Sequence, residues 1–139
     1  MAGGSPIERT RLRRGAGLDV KGFVSFLGST VEGGVCLYEA RIGSGLRCEG
    51  ANFTNPGKTA LSCTGIRIGG AVFLDRQFIA KGTVDLNFAN IGGDVTCENS
   101  QFEQTIKDPA AVASPHALSL DYAHLNGSVL LTNRFNSNG

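Results

Sequence analysis

An uneven apolar pattern recurs along most of this chain. From Val35, apolar or small residues follow at Leu37, Ala40 and Ile42, at steps of two, three and two residues. The pattern returns in copies that begin at Leu46, Leu61, Val84, Val95 and Leu118. A helix would need steps of three and four throughout, and a flat strand would need steps of two. Short extended segments joined by corners fit both step sizes, because the chain turns at each corner and keeps one side inward.

The copies end in two alternating ways, which defines a larger unit. One kind ends in an aliphatic residue and a tight glycine turn, as at Ile42-Gly43, and the other ends near a phenylalanine and a longer connection, as after Phe53. Two such half-turns give a coil of roughly 22 residues plus an insert, with four short sides. We therefore predict an all-β fold, a parallel β-helix (solenoid) of about five coils, with inserts stacked on one edge and glycine turns on the opposite edge. Glycine suits a tight corner because it tolerates positive φ.

Stacked coils predict inward ladders that take one side chain from each coil. The five ladders are Val35, Leu61, Val84 and Leu118; Leu37, Cys63, Leu86 and Leu120; Ile42, Ile68, Ile91 and Leu125; Leu46, Val72, Val95 and Val129; and Phe53, Phe78, Phe102 and Phe135. We expect layers about 4.8 Å thick, stabilised by stacking between nearest neighbours.

The repeat indicates one solenoid domain over residues 24–139, with an insert loop at 103–117. Residues 1–23 do not fit the pattern and carry five basic side chains against two acidic ones. We assign them to a basic N-terminal arm or cap, either a short helix or a partly disordered segment. Terminal coils expose sheet edges unless they are capped. The last copy is followed by no polar cap, which favours a fragment of a longer solenoid or an end that stacks on a partner.

Three short units resemble a known repeat family. Ala51-Asn52-Phe53-Thr54-Asn55 is similar to the unit of the pentapeptide-repeat family, and Ala40-Arg41-Ile42 and Ala89-Asn90-Ile91 match it more loosely. The resemblance implies a right-handed quadrilateral β-helix. It also implies binding roles, since some members imitate nucleic acid or bind other proteins. The half-turn of 11 residues departs from the family by one residue and suggests an extra residue at one corner.

Sequence motifs for catalysis, cofactors or metals are lacking, so we predict no catalytic, cofactor-binding or metal-binding residue. The four cysteines, Cys36, Cys48, Cys63 and Cys97, show neither a CxxC pair nor zinc spacing. We expect the last three to be small buried apolar residues and Cys36 to point outward. Neither a bilayer-spanning apolar run nor a secretory signal is present, so we expect a cytoplasmic protein without a membrane span.

Two histidines are candidates for chemistry. His116 lies in the insert and His124 on an outward face, with Ser119 and Asp121 nearby in the sequence. Outward strand positions give no pocket, so surface histidines are favoured over a catalytic pair. An outward column of Arg41, Arg67, Asn90 and His124 is a weak footprint for nucleic acid, and we expect a solvated face.

Outward acids and aromatics suggest two further surfaces. The acids are Glu39, Glu49, Asp75, Asp85, Asp94, Glu98 and Asp121. They invite imitation of DNA, although interrupting bases keep the net charge small. Phe88 and Tyr122 are expected to stack on adjacent coils, with Phe73 and Leu130 also outward, either as a partner surface or beneath the insert.

The sequence therefore favours a non-enzymatic structural or protein-interaction scaffold. Uncapped coil ends would let copies associate end to end, because a heterologous contact that does not close forms a filament. The expected partner is another protein or a second copy, and nucleic acid is not expected. The alternatives are an inhibitor of a nucleic-acid enzyme that imitates DNA, and an enzyme with a site at the insert edge.

Overall fold

The computed structural model describes residues 13–14, 17–104, 116–131 and 136–138. Within these ranges the regular elements are short β-strands, no helix occurs, and every strand pair is parallel. The chain forms a parallel β-solenoid of about 4 turns, where the sequence predicted about five coils.

The strands form four faces, which are the four short sides predicted for each coil. The first face holds β1 (Arg13–Arg14), β5 (Val35–Cys36), the second half of β8 (Asn52–Ser62), the second half of β11 (Ile79–Asp85) and β15 (Leu118–Ser119). The second face holds β2 (Asp19–Val20), β6 (Arg41–Ile42), β9 (Arg67–Ile68), β12 (Asn90–Ile91) and β16 (His124–Leu125). The third face holds β3 (Phe23–Ser25), β7 (Gly45–Arg47), β10 (Val72–Phe73), β13 (Val95–Thr96) and β17 (Val129–Leu130). The fourth face holds β4 (Thr30–Glu32), the first halves of β8 and β11, β14 (Gln101–Glu103) and β18 (Asn136–Asn138).

Three of the predicted ladders are confirmed by the strand registers, and backbone hydrogen bonds between layers confirm a fourth, which is Leu37, Cys63, Leu86 and Leu120. Ile68, for example, lies in register between Ile42 and Ile91, and all three are buried. Val72 lies in the same way between Leu46 and Val95. Each ladder places an apolar side chain against the layers on both sides, so the core runs along the solenoid axis.

The solenoid begins earlier than residue 24, where the sequence placed its first residue. β1 pairs with β5 through Arg13 and Val35, and β2 pairs with β6 through Asp19 and Arg41. A two-residue strand carries too little apolar pattern to be recognised from sequence alone. The rest of the predicted basic arm, residues 1–12, lies outside the described residues.

The predicted phenylalanine ladder is wrong in its register. Phe53 lies in register with Val31 and Ala80, and Phe102 also pairs with Ala80. Phe78 is two residues earlier on its strand path, after the corner in which both Arg76 and Gln77 have positive φ (52° and 71°). Val72 and Ala80 are eight residues apart, whereas their partners Leu46 and Phe53 are seven apart, so this corner holds one residue more than the regular half-turn.

The aromatic rings nevertheless form a continuous staggered stack in the core. Ring centroids lie 5.4 Å apart for Phe26 and Phe53, 5.6 Å for Phe53 and Phe78, and 5.5 Å for Phe78 and Phe102. A large ring in one layer faces a smaller side chain, such as Ala80, in the same column of the next layer. This alternation fills the core without forcing rings into the same space. Phe135 lies outside the described residues.

The glycine turns stack on one edge, but the expected reason was wrong. A Cβ on Gly69 would lie 2.2 Å from the carbonyl oxygen of Gly43, and a Cβ on Gly92 would lie 2.2 Å from that of Gly69. Glycine is therefore required here by the close approach of stacked backbones. Positive φ occurs instead at other corners, for example at Glu39 (56°) and Phe88 (59°).

The described parts of the inserts emerge from the opposite edge, between the fourth and first faces. Thr83 lies in register with Thr59, so the insert that follows Phe53 and the shorter one within β11 stack on each other. Residues 105–115 of the predicted 103–117 insert lie outside the described residues.

A buried glutamine fastens this insert edge. The Gln104 amide donates to the Lys58 carbonyl oxygen (2.9 Å) and to the Thr83 hydroxyl (2.8 Å), and its own oxygen accepts from Gly57 N–H (2.9 Å). The Thr83 hydroxyl in turn donates to the His116 carbonyl oxygen. These bonds satisfy polar groups that would otherwise be costly to bury.

Candidate interaction surfaces

The last described coil retains the apolar ladders but leaves them partly open. Its ladder residues are only partly buried, whereas their counterparts one turn earlier are fully covered. The partly buried residues are Leu118, Leu120, Ala123, Leu125 and Val129. At this end, side chains of the kind that form dry layers inside the solenoid are therefore only partly covered.

At the opposite end, partly open apolar residues are described on the second face. Leu18 and Val20 are partly buried there, while Val24, Phe26 and Val31 on the following faces are buried. Among the faces whose burial is described in the first coil, the second is therefore the one that is partly open at both ends.

The predicted outward column on this second face is confirmed. Arg41, Arg67, Asn90 and His124 follow one another in register and are all exposed. Sequence reasoning missed Asp19, which precedes Arg41 in the same column because β2 already belongs to the solenoid. The column therefore begins with an acid and ends with a histidine.

A shallow groove of about 490 Å³ lies beside the basic part of this column. Its lining combines Arg41 and Arg67 with the carboxylates of Asp19 and Glu39. The mixed signs weaken the field that a phosphate backbone would require, so the groove resembles a solvated face more than a nucleic-acid site.

The third face carries a cluster around one arginine, Arg47, that was not predicted from the sequence. The Arg47 guanidinium lies 5.9 Å from the ring centroid of Phe23 and 5.7 Å from that of Phe73, and it forms two hydrogen bonds to Glu49, at 2.7 Å and 3.2 Å. The predicted ladder of Leu46 and Val72 already implied that the next residues, Arg47 and Phe73, share an outward column.

Charge pairing within this cluster is reflected in its pKa values. The hydrogen bond to Glu49, followed by its charge, raises the pKa of Arg47. Burial acts to raise the pKa of Glu49, but the hydrogen bond from Arg47 and the backbone outweigh it and lower that pKa. Glu49 is buried rather than outward as predicted, so it contributes little to an acidic surface.

Asp75 lies one layer from Glu49 at the same corner and is poorly compensated. Its Oδ2 accepts a hydrogen bond from the Thr96 hydroxyl (3.2 Å), while its buried Oδ1 has no partner among the described residues. Burial, with a smaller contribution from the charge of Glu49, raises the pKa of Asp75 despite the Thr96 hydrogen bond. This carboxylate is therefore a local cost to stability when it is ionised.

The predicted aromatic pair is present at an exposed corner. The rings of Phe88 and Tyr122 are stacked with centroids 5.2 Å apart and planes at 11°, and the residues are 60% and 84% exposed. Both have left-handed backbone angles (φ 59° and 57°), which are unusual for bulky residues. The Asn87 side chain holds the corner, since its Oδ1 accepts from Ser119 Oγ (2.6 Å) and Asp121 N–H (2.7 Å).

Among the candidate catalytic residues, Ser119 and His116 make other contacts. The Ser119 hydroxyl donates to Asn87, and His124 is an exposed member of the second-face column. His116 contributes its carbonyl oxygen to the bond from Thr83. The described contacts do not bring these side chains together as a nucleophile and base.

The cysteines are free thiols, three of them buried. Burial raises the pKa of Cys97 to about 12 and raises those of Cys48 and Cys63 well above the usual range. These three thiols therefore stay protonated at neutral pH and act as small apolar residues, as expected. Cys36 is only partly buried, in agreement with its predicted outward position.

Among the described residues, no group of three or more His, Cys, Asp or Glu side chains could hold a metal ion. None of the same residues forms a helix with the length and apolarity needed to cross a bilayer. No protein-family model, curated protein or solved structure matches the chain.

Proposed function

We propose that this chain is a non-enzymatic scaffold whose coils associate end to end. The observation that carries the proposal is the last described coil, in which Leu118, Leu120 and Leu125 continue the core ladders but are only partly buried. Burying such apolar area contributes roughly 25 cal/mol per Å². Addition of another parallel layer would cover these side chains and satisfy the backbone groups of the edge strands.

Two further features support a scaffold. The most perturbed pKa values belong to buried thiols and to the Arg47, Glu49 and Asp75 corner, where the causes are structural contacts. Free cysteines are also compatible with a reducing compartment, and we propose the cytoplasm on that ground.

We also propose that the solenoid is related to pentapeptide-repeat proteins. Four short faces per coil and the inward pair Ala51 and Phe53 support the relation. The corner at Arg76 and Gln77 and the inserts lengthen individual coils beyond two pentapeptides per half-turn. We propose a solenoid with the family's cross-section and less regular corners.

The scaffold proposal is tested by the oligomeric state of the full 139-residue chain. Sedimentation velocity and light scattering over a wide concentration range are expected to show growth into elongated particles. A Leu125→Gln variant should reduce growth, because it places an amide in the open layer. Arg67→Gln, which places the same amide on the outer face of a central layer, serves as the control. A strictly monomeric chain at high concentration would refute the proposal.

A further inference from the structure

We propose that copies associate through the second face, so that β2 of an incoming copy pairs in parallel with β16 and places its Asp19 beside His124. This inference rests on the proposed end-to-end function and specifies its partner, a second copy of this chain, and its register. Among the faces whose burial is described in the first coil, the second is the one with partly open apolar residues at both ends, at Leu18 and Val20 and again at Leu125.

Side-chain size is complementary across this junction. The columns of the second face place Leu18 before Ala40 and Val20 before Ile42, and they end at Ala123 and Leu125. Continuing the columns brings Leu18 over Ala123 and Val20 over Leu125. A large side chain would then meet a small one and an aliphatic residue would meet another, as in the interior layers.

The backbone of the two edges is also complementary. Residues of this face donate to the residue before their partner in the preceding layer: Arg41 N–H to the Leu18 carbonyl oxygen (2.8 Å), and His124 N–H to the Ala89 carbonyl oxygen (2.8 Å). The same rule makes the N–H of an incoming Asp19 a donor to the Ala123 carbonyl oxygen. Both edges therefore offer the groups that the opposite edge requires.

The outward side chains at the two ends of the column are also complementary. The column runs Asp19, Arg41, Arg67, Asn90 and His124, so its continuation sets the carboxylate of a new Asp19 next to the imidazole of His124. A two-fold contact would instead join two identical ends, so that Asp19 of one copy would not meet His124 of the other. Charge complementarity therefore favours the heterologous junction, which propagates.

The corner beside this face leaves room for the contact. The exposed ring of Tyr122 ends the corner column in which Glu39, Gly65 and Phe88 occupy the earlier layers, each with positive φ. Gly17, also with positive φ (77°), occupies the first layer, and a Cβ there would meet nothing within 4 Å. An incoming copy would therefore bring a glycine, which has no side chain, into the layer next to the Tyr122 ring.

Disulfide trapping tests the register directly. Asp19→Cys and His124→Cys are made as separate chains in a Cys36→Ser background, mixed, and oxidised with copper phenanthroline. Neighbouring Cα atoms of paired strands lie within the 4.4–6.8 Å range, roughly, that a disulfide spans. The expected result is a covalent dimer with a 19–124 linked peptide, identified by mass spectrometry. Asp19→Cys mixed with Arg67→Cys, an exposed central residue of the same column, should give no such dimer.

The outcomes separate the two proposals. If the parent chain associates but the links are 19–19 or 124–124, or no stronger than the Arg67→Cys control, the register is wrong while end-to-end association stands. If the parent chain does not associate, the proposed function fails and the register fails with it. Circular dichroism of each variant ensures that a missing link does not reflect an unfolded chain.

Discussion

The staggered phenylalanine stack makes Phe53 the position where a single truncation should cost the most. Its ring is fully buried and contacts Phe26 and Phe78 at 5.4 Å and 5.6 Å between centroids. Complete burial of such a side chain stabilises by about 1.5–3 kcal/mol, and each ring contact adds about 0.5–1.5 kcal/mol. We therefore expect Phe53→Ala to lower the free energy of unfolding by about 3–5 kcal/mol, the range found for phenylalanine truncation in cores.

Urea unfolding followed by circular dichroism measures this loss, under dilute conditions in which the parent chain is a single species. The midpoint should fall while the slope with denaturant is unchanged, because the folded solenoid stays compact. Phe88→Ala is the matched control, since Phe88 is exposed and its ring stacks on the ring of Tyr122 at the surface. Its loss should not exceed about 1.5 kcal/mol. If Phe53→Ala costs no more than Phe88→Ala, layer stacking is not what stabilises this chain.

Three further changes test other parts of the structure. Gly69→Ala should destabilise the fold by about 1–3 kcal/mol in thermal unfolding, because its Cβ would lie 2.2 Å from a backbone oxygen. Gly22→Ala is the control and should have little effect, since a Cβ there would meet nothing within 4 Å. Equal effects of the two substitutions would contradict the close-approach explanation. Asp75→Asn should raise the melting temperature at neutral pH, since the folded state raises the pKa of this acid and so disfavours its charge. Because the folded state raises the pKa of Asp75, the parent protein gains stability as the pH falls through that pKa. The difference in melting temperature between Asp75→Asn and the parent should therefore shrink on acidification. A difference that grows would contradict a raised pKa for Asp75. Asp19→Lys should weaken association several-fold, as measured by sedimentation, since an exposed pair contributes about 0.2–1 kcal/mol. Adding His124→Glu to Asp19→Lys should restore association. A double variant that associates more weakly than Asp19→Lys alone would contradict the proposed junction.

The apolar periodicity was sufficient to predict most of the fold. Steps of two and three predicted corners and four faces, and the registers of Ile42, Ile68 and Ile91 follow them. The position of Phe78 could not be predicted in this way, because the extra residue in its corner is accommodated by two left-handed residues, Arg76 and Gln77. The repeat pattern places each phenylalanine in register with the next one, whereas packing places each large ring against a small side chain of the neighbouring layer.

The surfaces were predictable only where the ladders fixed them. The column from Arg41 to His124 and the stack of Phe88 on Tyr122 follow from the inward registers, because outward residues alternate with inward ones. The burial of Glu49 was not predicted, since it depends on Arg47 closing over it between two rings. Such contacts depend on side-chain conformation at corners, which an apolar period does not encode.

The glycine edge has a mechanical consequence for the molecule. Peptide groups of successive layers already touch there, with no room for even one more carbon atom at Gly69 or Gly92. The opposite edge is joined instead through inserts and the Gln104 amide. Bending that shortens the glycine side would drive the backbone of one layer into the backbone of the next. The glycine column should therefore resist compression along the axis of the solenoid.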